Sequence, residues 1–195
     1  YGVAEDDLVL QELIASETFK CVVVDEEHVS ENTSSVTINQ EKAQYEVAKV
    51  LVEENKVKKV LYISGDENSY VTRTRLAGMK KLAGEKNLEL IWENGNFSEK
   101  KAKEIAFKHG KDAEAIVCAS DLMAVGAKAA MKEMQIERPI CGFDGISLMG
   151  YAGHGIYTVR QNFSEISAMA MGELQRLMTG GSGKMIEAEY SLIQN

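Results

Sequence analysis

Residues 114–163 read EAIVCASDLMAVGAKAAMKEMQIERPICGFDGISLMGYAGHGIYTVRQNF. A short apolar run, Ala115–Ala119, ends in Ser120-Asp121, and a helical segment with small residues on one side follows, Leu122–Met134. A second run, Ile140–Phe143, ends in Asp144-Gly145, and a third, Tyr157–Val159, ends in Arg160-Gln161. Strand, polar end, helix, strand, polar end is the order of an open parallel sheet, whose ligands bind beyond the carboxyl ends of the strands. Ser120, Asp121, Asp144, Arg160 and Gln161 are therefore predicted to gather along one rim.

The same alternation extends upstream. Helical spacing covers Glu5–Ser16, with Asp6 or Asp7 as its cap, and Cys21–Asp25 reads as a strand ending in a carboxylate. Glu27–Ser35 is polar and loop-like, and Val36–Ile38 a short extended piece. Ala43, Val47, Val50 and Leu51 give Gln40–Glu54 a helical period. The strand Val60–Ile63, the helix Tyr70–Lys86, the strand Leu88–Trp92 and the helix Glu99–His109 then precede the opening stretch. After it come a long helix, Phe163–Met178, with Ile166, Ala170 and Leu174 inward, a flexible TGGSGK turn and one closing strand, Met185–Ile193. Repeated β-α alternation with right-handed crossovers predicts a doubly wound α/β architecture. Pro139, the one proline, stands just before a strand, where it costs least.

Composition narrows the function classes. With 195 residues, 45% of them hydrophobic, the chain can bury a real core. A net charge of −8 argues against a nucleic-acid grip of its own, which needs a basic face. The densest basic cluster, Lys56, Lys58 and Lys59, reads as a solvated turn. There is no apolar run of membrane-spanning length. Cys21, Cys118 and Cys141 lie in β-like runs without metal-ligand spacing, so they read as buried free thiols in a reducing, cytoplasmic setting, with no metal and no cofactor implied.

Enzyme chemistry finds little purchase. His28, His109 and His154 are scattered, and none has a nucleophile and acid partner at a recognisable elbow. TGGSGKM lacks the first spaced glycine and the hydroxyl after Lys184 that a phosphate loop requires, and it ends a helix instead of starting one.

The pieces CASDLMAVGAKAA, ICGFDGI and YTVRQNF, in that order and spacing, together with RTRLAGMKKL upstream, resemble the effector-binding core of the LacI/GalR family of transcriptional regulators. The resemblance runs from about Val22 to the end of the chain. It implies a two-lobed periplasmic-binding-protein-like fold, parallel sheets flanked by helices, with crossovers near Ile38, Gln161 and Lys184. One lobe then holds residues 1–37 plus 162–183 and the other 38–161 plus 184–195. It also implies earlier β-α units and a DNA-reading head that these residues do not include, so the first lobe is expected to be incomplete and operator DNA to be reached only through that head.

What the resemblance implies for the site is a small-molecule effector, a sugar, sugar phosphate or nucleobase-like metabolite, held in a cleft between the lobes. Arg75, one turn into its helix, is the expected ligand contact; taken alone it reads as a helix-surface arginine in a salt bridge. Asp144 suits a diol, although Asp-Gly is also a common turn pair. Phe97 and Phe163 match ring-stacking positions, with core packing as the ordinary alternative. Ser120 is expected to face the cleft, Asp121 to cap the following helix, and Gln161 to hinge or touch ligand; Asp25 is the weakest candidate. A homodimer is implied through Leu122–Met134 and the loop Ser147–Tyr151, a region carrying Met123, Met131, Met134 and Met149. Departures at Asn39-Gln40, Lys56-Val57 and Val71 mean that the effector is not copied from any one member. The rival reading is a sugar-binding protein of an ABC-type transport system.

Overall fold

The computed structural model describes residues 8–16, 18–146 and 155–194. Asp6 and Asp7, His154 and the loop Ser147–Tyr151 with Met149 lie outside the described residues.

The chain divides into two compact units, one built from Tyr1–Asn39, Asn68–Val71 and Asn162–Tyr190, the other from Gln40–Glu67, Thr72–Gln161 and Ser191–Asn195. The chain passes between them at Asn39–Gln40, Glu67–Asn68, Val71–Thr72 and Gln161–Asn162, and its last passage falls at Tyr190–Ser191, beyond the Lys184 expected from the resemblance. The reason is a strand: β8 (Met185–Glu187) pairs in parallel with β2 (Thr33–Thr37), Ser35 opposite Met185, which holds it in the first unit. Sequence continuity suggests one closing strand. Instead Ala188 N donates to Thr37 O, and β9 (Tyr190–Gln194) joins a different sheet.

In the first unit β1 (Cys21–Val24), β2 and β8 form a three-stranded parallel sheet with β2 central. β2 begins at Thr33, inside the segment whose polarity predicts a loop, and all five of its residues are buried. A hydroxyl-rich strand tolerates burial when its hydroxyls find partners. Thr33 Oγ1 donates to Ile14 O at 3.2 Å, Ser34 Oγ to Glu173 Oε1 at 2.6 Å and Ser35 Oγ to His28 O at 2.8 Å. Ile14 of α1 (Leu8–Ala15) packs with Val23, Leu10 and Cys21, so Cys21 is only half-buried, unlike Cys118 and Cys141. The long helix Phe163–Met178, called α6 here, packs on β1 and β2. It turns Ile166, Glu173 and Leu177 inward; Ala170 and Leu174, expected there, are half-buried.

The second unit holds a six-stranded sheet in the order β4-β3-β5-β6-β7-β9. β3 (Lys59–Ser64), β4 (Glu89–Asn94), β5 (Ala115–Cys118), β6 (Ile140–Cys141) and β7 (Ile156–Gln161) pair in parallel, Leu61 opposite Ile116 and Ile91. α2 (Gln40–Asn55) and α3 (Tyr70–Lys86) share one face. They approach so closely that a Cβ on Gly78 would collide with Glu41 O. α4 (Glu99–His109) and α5 (Asp121–Glu133) pack together, and a Cβ on Gly126 would strike Glu99 O. Tyr62 faces Arg75 of α3 while the next residue, Ile63, lies with Met123 of α5 beside Gly95, so the two helix pairs cover opposite faces of the sheet. Met123 and Met131 are core residues. β6 is only two residues long, which leaves Phe143 beyond the ladder. No helix among the described residues is long and apolar enough to cross a membrane, and no cluster of three or more potential metal ligands occurs among them.

Candidate functional site

The carboxyl ends of the parallel strands gather five of the predicted residues in the second unit. Arg75 lies in the second turn of α3, directly after the β3 end and its SGDENSY loop. It is 3% exposed, so its position is fixed by partners and not by solvent. Nε donates to Gln40 Oε1 at 2.9 Å and Nη1 to Ala119 O at 2.6 Å. The guanidinium lies over the Phe143 ring, 3.6 Å from its centroid, a cation–π arrangement that desolvation strengthens. Nη1 is 3.5 Å from Asp144 Oδ1. Gln161 Nε2 donates to the same oxygen at 3.1 Å, while Gln161 Oε1 is buried with no hydrogen-bond partner among the described residues. The Asp144 side chain keeps 25% of its surface exposed. A rigid buried cation therefore stands beside a carboxylate that reaches solvent.

The backbone is strained at the same rim. Asp144 has φ 110°, and Phe97, in the loop after β4, has φ 53°. A left-handed backbone at a bulky residue costs about 1–3 kcal/mol and persists only where the surroundings impose it. Phe97 is held against the Gly65 backbone at the end of β3, where any Cβ would collide with its ring. Asp144 is held by its amide to Val159 O at 2.9 Å and by its bridge to Arg160.

Ser120 takes the capping role expected of Asp121. Ser120 is the helix cap: its backbone is extended, φ −155° and ψ 159°, and its hydroxyl accepts from Met123 N at 3.3 Å. Serine in that conformation satisfies an otherwise orphaned helix N–H. Asp121 is the first helical residue, and its carboxylate turns inward, accepting from Thr158 Oγ1 at 2.7 Å and Ile146 N at 2.9 Å. Burial pushes this carboxyl up to about 6, against the hydrogen bonds from Thr158 and Ile146 that favour its charge.

Asp25 and Phe163 belong to the first unit. Asp25 follows β1 with φ 63°, its amide donating to Val36 O, and Phe163 opens α6, 48% exposed. Three residues that sequence reasoning passed over now matter: Gln40 and Ala119 as acceptors for Arg75, and Phe143 as its ring. Gln40 had a signal, since it stands where the resembling family carries a different pair. Phe143 reads as the end of an apolar strand, and a backbone carbonyl has no sequence signature at all.

Away from this rim, α5 offers another surface. Its outward side carries Leu122, 42% exposed, with Val125, Lys128, Ala129 and Lys132. The last four help line an open groove with Tyr157 and Gln194. Burial there pushes the Lys128 ammonium below its ordinary value.

A family model described as a periplasmic binding protein-like domain matches residues 48–193. The transcriptional regulator MalR of Clostridium butyricum is 31% identical over 173 residues, 83% of this chain and 51% of that protein. The transcriptional repressor PurR of Histophilus somni is 28% identical over 194 residues, 93% of this chain and 58% of that protein. The chain thus spans about half the length of the curated relatives it matches. A crystal structure of the Lac repressor bound to ONPG superposes with a TM-score of 0.83 at 21% identity, over 99% of this chain and 61% of that one. This chain belongs to the periplasmic binding protein-like domain family.

Proposed function

We propose that the chain is the effector-binding and dimerisation part of a LacI-type transcriptional regulator, sensing a small metabolite of sugar, sugar phosphate or nucleobase type. The observation that carries this reading is the Arg75–Asp144 pair, a donor locked by Gln40, Ala119 and Phe143 beside an acceptor that reaches solvent. Such a pair suits a ligand with adjacent hydroxyl, phosphate or amide groups, because its geometry is set before the ligand arrives. Phe97, Ser120, Gln161, Asp25 and Phe163 are assigned to the same task. Ser120 contributes by fixing the β5 end and not through its capping hydroxyl. Binding shifts operator affinity only as far as the ligand prefers one arrangement of the protein over another. DNA contact itself is assigned to a head outside this acidic sequence, and self-association to the outer side of α5. We assign no catalytic step to the chain, and place it in the cytoplasm with its relatives' activity. The transport reading is not favoured, since the relatives are transcriptional regulators.

The test is a thermal-shift screen against sugars, sugar phosphates, nucleosides and ONPG, repeated with Arg75→Ala and Asp144→Ala. Ligand in excess over its dissociation constant raises the melting temperature. One compound class is expected to stabilise the wild type and neither variant. A response preserved in both variants would remove the site from this rim.

A further inference from the structure

Asp121 is fully buried, carries a carboxylate and has no cation among its hydrogen-bond partners in the described residues. Ser120 caps the helix, so capping does not account for it. Its partners share one location. Its amide donates to Phe143 O at 2.7 Å, Oδ2 accepts from Ile146 N, and Oδ1 accepts from Thr158, whose Oγ1 in turn accepts from Gly145 N at 3.3 Å. Gly142 passes so close that a Cβ there would strike Asp121 Oδ1. These hydrogen bonds and the Gly142 approach all fall within residues 142–146 or on β7, which bridges to Asp144. That turn is the strained one: Asp144 at φ 110° is followed by Gly145 at φ 67°, where a Cβ would meet the Arg160 backbone.

We propose that Asp121 is a positioning residue: its carboxylate, through Thr158, Gly145 and Ile146, clamps the 142–146 turn so that Asp144 stands beside Arg75, and loss of its charge releases the turn and weakens ligand binding. The inference rests on the reading of Asp144 as a ligand acceptor. An ionised carboxylate accepts at both oxygens, whereas a protonated one must place its hydrogen on one of them and so gives up an accepted bond.

The groups that face Asp121 are few. From the turn comes Asp144, whose charge raises the Asp121 pKa further; from β5 and β6 come the Cys118 and Cys141 thiols, both held neutral by burial. From β7 comes Thr158, while Arg160 meets Gly145 through its backbone and inner side chain and is exposed beyond. Arg75 pairs with Asp144 and, among the described residues, makes no hydrogen bond to Asp121. The Asp121 carboxyl, at about 6, then titrates close to neutrality. By linkage a ligand that needs the clamp closed also lowers that midpoint.

The test follows the Gly145 and Ile146 amides of the whole 15N-labelled chain as pH falls from about 7.5 to about 4.5. Both signals are expected to titrate near pH 6 in the wild type and to stay flat in Asp121→Asn; in Thr158→Val, which removes a bond favouring the charge, the midpoint moves up. With a compound that stabilises the wild type, Asp121→Asn is expected to bind about tenfold more weakly or worse at neutral pH and to lose the pH dependence of affinity. Flat wild-type amides overturn the clamp, and so does a variant with wild-type affinity. If no compound binds the wild type, the functional reading fails while the amides still decide the clamp. If Asp121→Asn does not fold, the midpoint of Thr158→Val decides it.

Discussion

The inner strands of the two units are buried alike but for opposite reasons. In the second unit β3 and β5 are apolar, and Leu61 and Ile116 need nothing from their neighbours beyond contact. In the first unit β2 reads Thr-Ser-Ser-Val-Thr, and its burial stands on donated hydrogen bonds, above all from Ser34 to Glu173. Glu173 is itself paired with Arg176 and, at 3.6 Å, with Lys184. Contact energy is non-directional and indifferent to pH; a polar network is directional and titrates. Two buried carboxylates, Glu173 and Asp121, show the consequence. Hydrogen bonding from Arg176, helped by Ser34 and Lys184, lowers the Glu173 carboxyl to about 2, whereas burial raises that of Asp121 to about 6.

Removing an apolar residue from the second unit should have the largest effect. Ile116→Ala is expected to cost about 4 kcal/mol, by lost transfer energy plus the cavity left behind, and to cost the same across the acid range. Trp92, the one tryptophan, lies in the second unit, so its fluorescence in urea reads this directly. A strongly pH-dependent cost would break the distinction between the units.

Next comes Glu173→Ala, expected to cost about 3 kcal/mol by leaving Ser34 and two cations without their acceptor. The cost should appear in far-UV circular dichroism and in faster amide exchange along β2. Its sign with pH is fixed: a carboxyl lowered in the fold stabilises above pH 4.5, and that contribution disappears as pH falls from 4.5 towards about 2. Glu173→Gln should remove that loss.

Asp121 should act the other way, by about 3 kcal/mol at most. Its raised pKa favours the fold below pH 3.8, and that contribution is lost as pH rises from 3.8 through about 6, with no further change above. Stability of wild type minus Asp121→Asn, measured by urea midpoints, should therefore fall across that window and then level. A rise would mean that the carboxylate is better satisfied than its surroundings indicate. Smallest is Ser34→Ala, expected to cost about 1 kcal/mol, since Glu173 keeps its cations. A cost near that of Glu173→Ala would show the hydroxyl, and not the ion pairs, to be the centre of the network.

Much of the architecture is legible in the sequence. The apolar periods of Tyr70–Lys86, Glu99–His109 and Phe163–Met178 give helices with those bounds, and the polar ends of the β runs mark the rim where Arg75, Asp144 and Gln161 meet. These signals are local, carried by residues a turn or a pleat apart, and so they survive in one dimension. Of β2 only Val36 and Thr37 read as extended; Thr33–Ser35 read as a loop until Glu173, 139 positions beyond Ser34, supplies the partner that lets them be buried. The break between β8 and β9 was not legible, since two short runs of similar composition join different sheets only through their register with Ser35 and with β7. That Ser120 and not Asp121 caps α5 turned on a backbone conformation, and the seat of Arg75 on a carbonyl, a ring and an amide from three separate segments. The sequence by itself determined the order of elements and the rim; tertiary structure decided which polar groups are buried there and what holds them, because burial and its hydrogen bonds are settled between segments far apart in the chain.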